Sequence, residues 1–184
     1  RVRSSVEALQ RAMAGLELMS QELEDMGEAL ETGRVPAVWS AVAYPSRKAL
    51  GPWVADLRRR VTFFRSWIEE GPPVVFWFSG FFFTQSFVTG MLQNHARAHS
   101  IPIDQLSVGT RVLDEAADGD AGTDTGDGVR APTIVRRPER GCYVSGLFLE
   151  GAAWNAKDKC LCESKPRQLY HPMPVVHLVP LDAD

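Results

Sequence analysis

Every group of residues with the chemistry for a reactive site lacks a partner that such a site needs. His95 and His99 stand four apart, the spacing that brings two imidazoles to one helix face and lets them share a metal ion. Ala96 holds the place of a metalloprotease's glutamate, so the pair reads as packing or surface histidines. Cys142, Cys160 and Cys162 are odd in number and include no C-x-x-C pair. They read as reduced thiols of a reducing compartment, small and buried or half-buried in strands, with neither a zinc site nor a disulfide framework indicated. Ser79 follows Phe78 without the leading glycine of a nucleophile elbow, and is expected to start or cap a turn. Asp118-x-Asp120 opens as a calcium loop does, yet Gly122 and Val129 stand where two strong ligands belong. No lysine-bearing phosphate loop occurs, and Gly126-x-Gly128 lies in an acidic run that repels phosphate. The expectation is a polypeptide with no catalytic residue, no cofactor-binding residue and no metal ligand.

The elements that must position these residues belong to an ordinary globular composition, 45% hydrophobic and 23% charged, which excludes collagen-like, wholly disordered and disulfide-scaffold classes. A net charge of -3 and a pI near 5.8 argue against nucleic acid bound across the whole surface. From Gly71 to Ala96 there is no Asp, Glu, Lys or Arg, but the prolines and polar residues there do not make the roughly 20-residue apolar helix that spans a membrane. The opening Arg1-Val2-Arg3 has no apolar segment behind it and reads as a piece cut from something longer, without a signal peptide.

Apolar residues at Val6, Leu9, Met13, Leu16, Met19, Leu23, Met26 and Leu30 keep a helical spacing, which predicts one long amphipathic helix ending at Gly33. Its stripe serves core packing or docks on another domain or chain; as an interface it comprises Leu9, Met13, Leu16, Met19, Leu23 and Met26. A second helix is expected from Pro52 to Glu70, with Trp53, Leu57, Val61, Phe64 and Ile68 on one face and a basic face at Arg58, Arg59, Arg60 and Arg65 that reads as solvated. Val74 to Phe78 reads as a buried strand or an extended segment in the core, and about Phe81 to His99 as a third helix. Eleven of the 17 aromatics lie between Trp53 and Phe87, which places most of the core there. Strands are expected at Gly141 to Glu150, in a return run through Leu161, and at Pro174 to Pro180, the last at an edge or in a short pairing because of its prolines. The fold class is therefore α+β: a helical part over 1–112, an acidic disordered insertion over 113–132, and a β part over 133–184.

Phe63-Phe64-Arg65-Ser66-Trp67-Ile68-Glu69-Glu70-Gly71-Pro72-Pro73 and the run Phe76-Trp77-Phe78-Ser79-Gly80-Phe81-Phe82-Phe83-Thr84-Gln85-Ser86-Phe87 closely resemble the C-terminal region of dynein heavy chains. So do Trp39 with Tyr44-Pro45-Ser46, the Ile101-Pro102-Ile103-Asp104 turn, Gly146 to Ala152 with Trp154, and Met173-Pro174-Val175-Val176. The Ser79 to Phe87 wording is more similar to axonemal heavy chains than to the cytoplasmic one. The resemblance implies a non-catalytic regulatory segment that docks on the AAA+ ring of a minus-end-directed microtubule motor driving ciliary and flagellar beating. It implies no cofactor in this segment, with ATP and magnesium held elsewhere in the parent chain, and a small, incomplete antiparallel β-barrel in the β part. The implied partners are AAA+ modules of the same heavy chain, other dynein heavy, intermediate and light chains, and microtubules through the parent chain, with no nucleic acid and no membrane. The implied location is the cytoplasm and cytoskeleton, in the axoneme of a cilium or flagellum. The competing expectation is a structural module that recruits another axonemal component through the acidic segment or the Arg58 to Arg60 face.

Overall fold

The computed structural model describes residues 1–113, 134, 136–155, 157–166, 171 and 173–182. The segment 113–132, expected as an acidic disordered insertion, lies outside the described residues apart from Leu113, and so do the calcium-like and Gly126-x-Gly128 motifs within it. The protein forms two compact units, Arg1–Phe64 and Arg65–Asp184.

In the first unit the single long helix expected over Val6 to Leu30 is two: α1 at Val2–Met13 and α2 at Gln21–Glu31. The physical reason lies at Gly15, which adopts φ +73 and donates its N–H to the Ala12 carbonyl, while the Leu16 N–H reaches back to Arg11. That pair of bonds is the paired closure that stops a helix at a left-handed residue. Ser20 then opens α2, its hydroxyl accepting from the Leu23 N–H at 3.4 Å. The end expected at Gly33 is as read: Gly33 has φ +68 and Arg34 donates to the Ala29 carbonyl. A one-turn helix α3, Ala37–Ser40, follows, and then the long α4, Leu50–Glu70, which belongs to this unit as far as Phe64. Folding α1 back against α2 buries Leu9 and Met26 together with Trp39, Tyr44 and Trp53, and Val6, Leu23 and Leu30 pack around them.

The second unit is built on a four-stranded sheet. Its strands are β1 (Val75–Trp77), β2 (Leu106–Val112), β3 (Cys142–Ser145) and β6 (Val176–Asp182), in the order β1-β3-β6-β2. β4 (Ala152–Asn155) and β5 (Cys160–Glu163) form a separate antiparallel hairpin. The expected α+β class is observed. The expected incomplete antiparallel barrel is not confirmed: β1 runs parallel to β3, and the sheets do not close into a barrel. β6 lies in the interior of the sheet rather than at an edge, paired with β2 on one side and β3 on the other. Pro180 is tolerated there because the β3 pairing stops at Leu178, so the missing proline N–H costs no bond to that neighbour. β2, where no strand was expected, pairs with β6 from Leu106↔Asp182 to Val112↔Val176.

Alternation along β3 and β6 turns Cys142, Val144, Val176 and Leu178 to one face, and Phe87, Val88 and Met91 of helix α5 (Thr84–His99) cover it. Of the aromatics between Trp53 and Phe87, only Trp53 and Trp77 are buried. The core therefore does not sit mainly in that run, because aliphatic strand residues complete the second unit and Trp39, Tyr44 and the α1–α2 pair complete the first.

Candidate functional site

The break at Gly15 divides the predicted interface stripe. Leu9 and Met26 are buried and Leu23 is half-buried, whereas Met13 is 73% exposed, Leu16 79% and Met19 37%. Leu18, which the stripe did not include, is 87% exposed. The sequence between the helices thus presents a short apolar tip whose side chains are excluded from the core by the same turn that closes it. Gly15 and Ser20, a helix stop and a helix start in the middle of a regular stripe, are the signals that forecast this arrangement.

Beneath the tip, the first unit is held by polar groups as well as rings. Trp39 and Trp53 stack at 5.9 Å and Tyr44 and Trp53 at 6.2 Å. The Trp39 indole N–H donates to Ser5 Oγ at 2.8 Å, and the Tyr44 hydroxyl lies 3.4 Å from the Trp53 carbonyl. Asp56, buried in α4, receives Arg60 Nε at 2.9 Å and Lys48 Nζ at 2.8 Å, and the Arg60 guanidinium lies 3.8 Å from the centre of the Tyr44 ring. Burial alone pushes the Asp56 carboxyl up, but hydrogen bonds from Lys48, Tyr44 and Arg60 outweigh it and hold the group at about 2. Burial and the neighbouring Asp56 carboxylate push the Tyr44 hydroxyl up to about 12. This network modifies the basic face read from Arg58 to Arg60: Arg60 turns inward, while Arg58 is exposed and Arg59 half-exposed. The i,i+4 spacing of Asp56 and Arg60 within an apolar helix face was the available signal.

In the second unit Ser79 is the middle residue of the 3₁₀ turn at Phe78–Gly80, so it lies in a turn but neither starts nor caps it. Trp77 is clamped between glycines. A Cβ on Gly80 would lie 2.4 Å from its ring, and one on Gly146, at φ +69, would lie 2.5 Å from it. Phe76, Phe81 and Phe87 gather nearby, with Phe81 and Phe87 stacked at 4.4 Å, while Phe82 and Phe83 are exposed.

A cleft of about 580 Å³ opens beside α5, lined by Phe76, Phe87, Met91, His95, Arg137 and Arg140 among others. His95 and His99 stack at 4.1 Å, and His99 Nδ1 lies 3.0 Å from the His95 carbonyl, so the pair packs rather than converging on an ion. Burial, then His99 and Arg140, depress the His95 pKa below its ordinary value, and its buried Nε2 has no hydrogen-bond partner among the described residues. Cys142 is buried, and burial pushes its thiol up to about 11; Cys160 and Cys162 are exposed, contrary to the buried or half-buried placement read for them. Among the described residues no group of three or more His, Cys, Asp or Glu could hold a metal ion, and no helix is long and apolar enough to cross a membrane.

The arrangement is one of surfaces, rings and buried ion pairs. The family model for the C-terminal domain of the dynein heavy chain matches residues 1–184. The protein belongs to that family. This dynein C-terminal domain is 46% identical over 179 residues to human dynein axonemal heavy chain 3 and 44% identical over 179 residues to human dynein axonemal heavy chain 1, with 97% of its own length covered in both cases. It is 41% identical over 183 residues, 98% of its length, to the dynein-1-beta heavy chain of the flagellar inner arm I1 complex of Chlamydomonas reinhardtii. It spans about 4% of the length of these relatives. The resemblance read from Phe63 to Phe87 is thereby established, and so is its axonemal character.

Proposed function

We propose that this protein is the non-catalytic C-terminal regulatory segment of an axonemal dynein heavy chain, which docks on the AAA+ ring of a minus-end-directed motor and biases its conformations. The observation that carries the reading is the apolar tip of Met13, Leu16, Leu18 and Met19, exposed on a unit whose own core is already closed without it. A segment with no reactive centre acts on a motor only through contacts that differ between the motor's states, and an apolar tip offers such contacts. ATP hydrolysis, the magnesium it needs and the microtubule contact belong in this reading to the rest of the heavy chain. Other dynein chains are its neighbours, in the axoneme of a cilium or flagellum. The open sheet, with β1 and β2 as its edges, is on this reading part of a barrel.

Microtubule gliding by the complete motor, with and without residues 1–184, tests the claim. Altered velocity, force or ATPase supports regulation. Unchanged motility together with loss of an axonemal partner favours the recruiting module instead.

A further inference from the structure

In the hairpin register, Ala153 faces Cys162, Trp154 faces Leu161 and Asn155 faces Cys160. Because side chains alternate along a strand, Cys160 and Cys162 share a face with Ala153 and Asn155, while Leu161 and Trp154 occupy the other. Both cysteines are exposed, and neither is in a disulfide. Their neighbours across the hairpin are small or turned away. Ala153 carries a single methyl group, and the Asn155 side chain is drawn into the turn, where its Oδ1 accepts from the N–H groups of Lys157 and Asp158 and its Nδ2 donates to Asp158 Oδ2 at 2.6 Å. The Cys162 thiol donates to the Ala153 carbonyl at 3.6 Å, a weak bond that ionisation of the thiol releases.

The spacing decides between a disulfide and a bridge. Two residues along a strand set the Cβ atoms roughly 6.6 Å apart. A disulfide needs about 3.8 Å between them, so direct S–S bonding would pull β5 out of its pairing with β4. An interposed ion contributes two metal–sulfur bonds of roughly 2.3 Å each and spans the gap with the strand intact. Among the described residues, no third histidine, cysteine or carboxylate joins the pair to build the four-ligand shell of structural zinc. Thiolates without hard ligands select a soft ion of low coordination number.

We propose that Cys160 and Cys162 form a two-thiolate site that binds one Cu(I) ion. Each Sγ loses its proton to solvent, two copper–sulfur bonds form, and the metal keeps its oxidation state. Lys157 and Lys159 lie in the turn before Cys160 and offset the single negative charge of the bis-thiolate complex. Cys142 is buried and stays a thiol, so it serves as an internal control.

The full 184-residue protein, reduced and kept free of oxygen, is titrated with Cu(I) against bathocuproine disulfonate, with sizing chromatography on the loaded protein. The expected result is one copper per monomer. Cys160→Ser and Cys162→Ser are each expected to weaken binding on the order of 100-fold, because one thiolate cannot hold the ion in competition with the chelator, while Cys142→Ala leaves it unchanged. The double variant Cys160→Ser/Leu161→Cys keeps two thiols but puts them on opposite faces, and is expected to lose binding as fully as the single variants. Circular dichroism melts confirm that each variant is folded. Failure of the parent protein to compete for copper, undiminished affinity in the double variant, or copper bound only between two molecules would overturn the proposal.

Discussion

The two units solve the same problem, a surplus of aromatic rings, in opposite ways. In the first, the Trp39 indole donates to Ser5, the Tyr44 hydroxyl is held by Asp56 with the Arg60 guanidinium over its ring, and the stack closes with Trp53 only 2% exposed. In the second, phenylalanines dominate. They have no handle to anchor, and Phe82 and Phe83 remain on the surface, Phe83 at 62%. Rings with hydrogen-bonding tips specify a single arrangement, whereas plain rings pack wherever area is offered.

The contrast is broken most directly at the centre of the stack. Trp53→Ala removes a wholly buried ring and is expected to cost about 4 kcal/mol, unfolding the first unit at lower urea; Phe83→Ala, at an exposed ring, is expected to cost less than about 0.5 kcal/mol. Tryptophan fluorescence during urea unfolding compares the two. Next in size is Arg60→Ala, which strips the buried Asp56 carboxylate of a partner and removes the cation from the Tyr44 ring, at about 3 kcal/mol by the same measurement.

Acid sharpens the comparison, because each unit holds a different titrating group. Asp56 is depressed to about 2 from 3.8, so its contribution is complete above pH 4 and is lost as pH falls toward 2, about 2 kcal/mol in all. His95 is also depressed, but as a base it favours the neutral form in the folded state. Its contribution is present above its ordinary value of 6.5 and declines as pH falls below it, and His95→Phe is expected to flatten that slope in melts taken between pH 7.5 and 5. The smallest effect belongs to the tip. Leu16→Ser and Leu18→Ser are expected to shift stability by less than about 0.5 kcal/mol, since both side chains are already in solvent, while weakening any docking that uses them.

Much of this was readable beforehand where one local signal sufficed. The stop at Gly33, helix α4, the strand at Val75–Trp77 and the hairpin turn after Asn155 all follow from neighbouring residues. The misreadings came where a longer pattern competed with a short one. A regular apolar stripe across residues 6–30 outweighed Gly15 and Ser20, though two residues decide where a helix ends. For β6 the prolines gave the short pairing, three residues against β3, but not its interior place, because sheet order depends on partners far away in the sequence. Arg60 was read into a solvated basic face because it was weighed with its neighbours Arg58 and Arg59 rather than with Asp56, one helical turn away. Family wording from Phe63 to Phe87 carried the family assignment.

β6 sits between β3 and β2 yet is the last of the described strands in sequence order. During synthesis, β2 and β3 emerge before the neighbour they share, and both must retain an unsatisfied backbone edge until Val176–Asp182 clears the ribosome. Assembly of the second unit is therefore a late, all-at-once event, and a nascent polypeptide stalled before Val176 would be a ready client for chaperones.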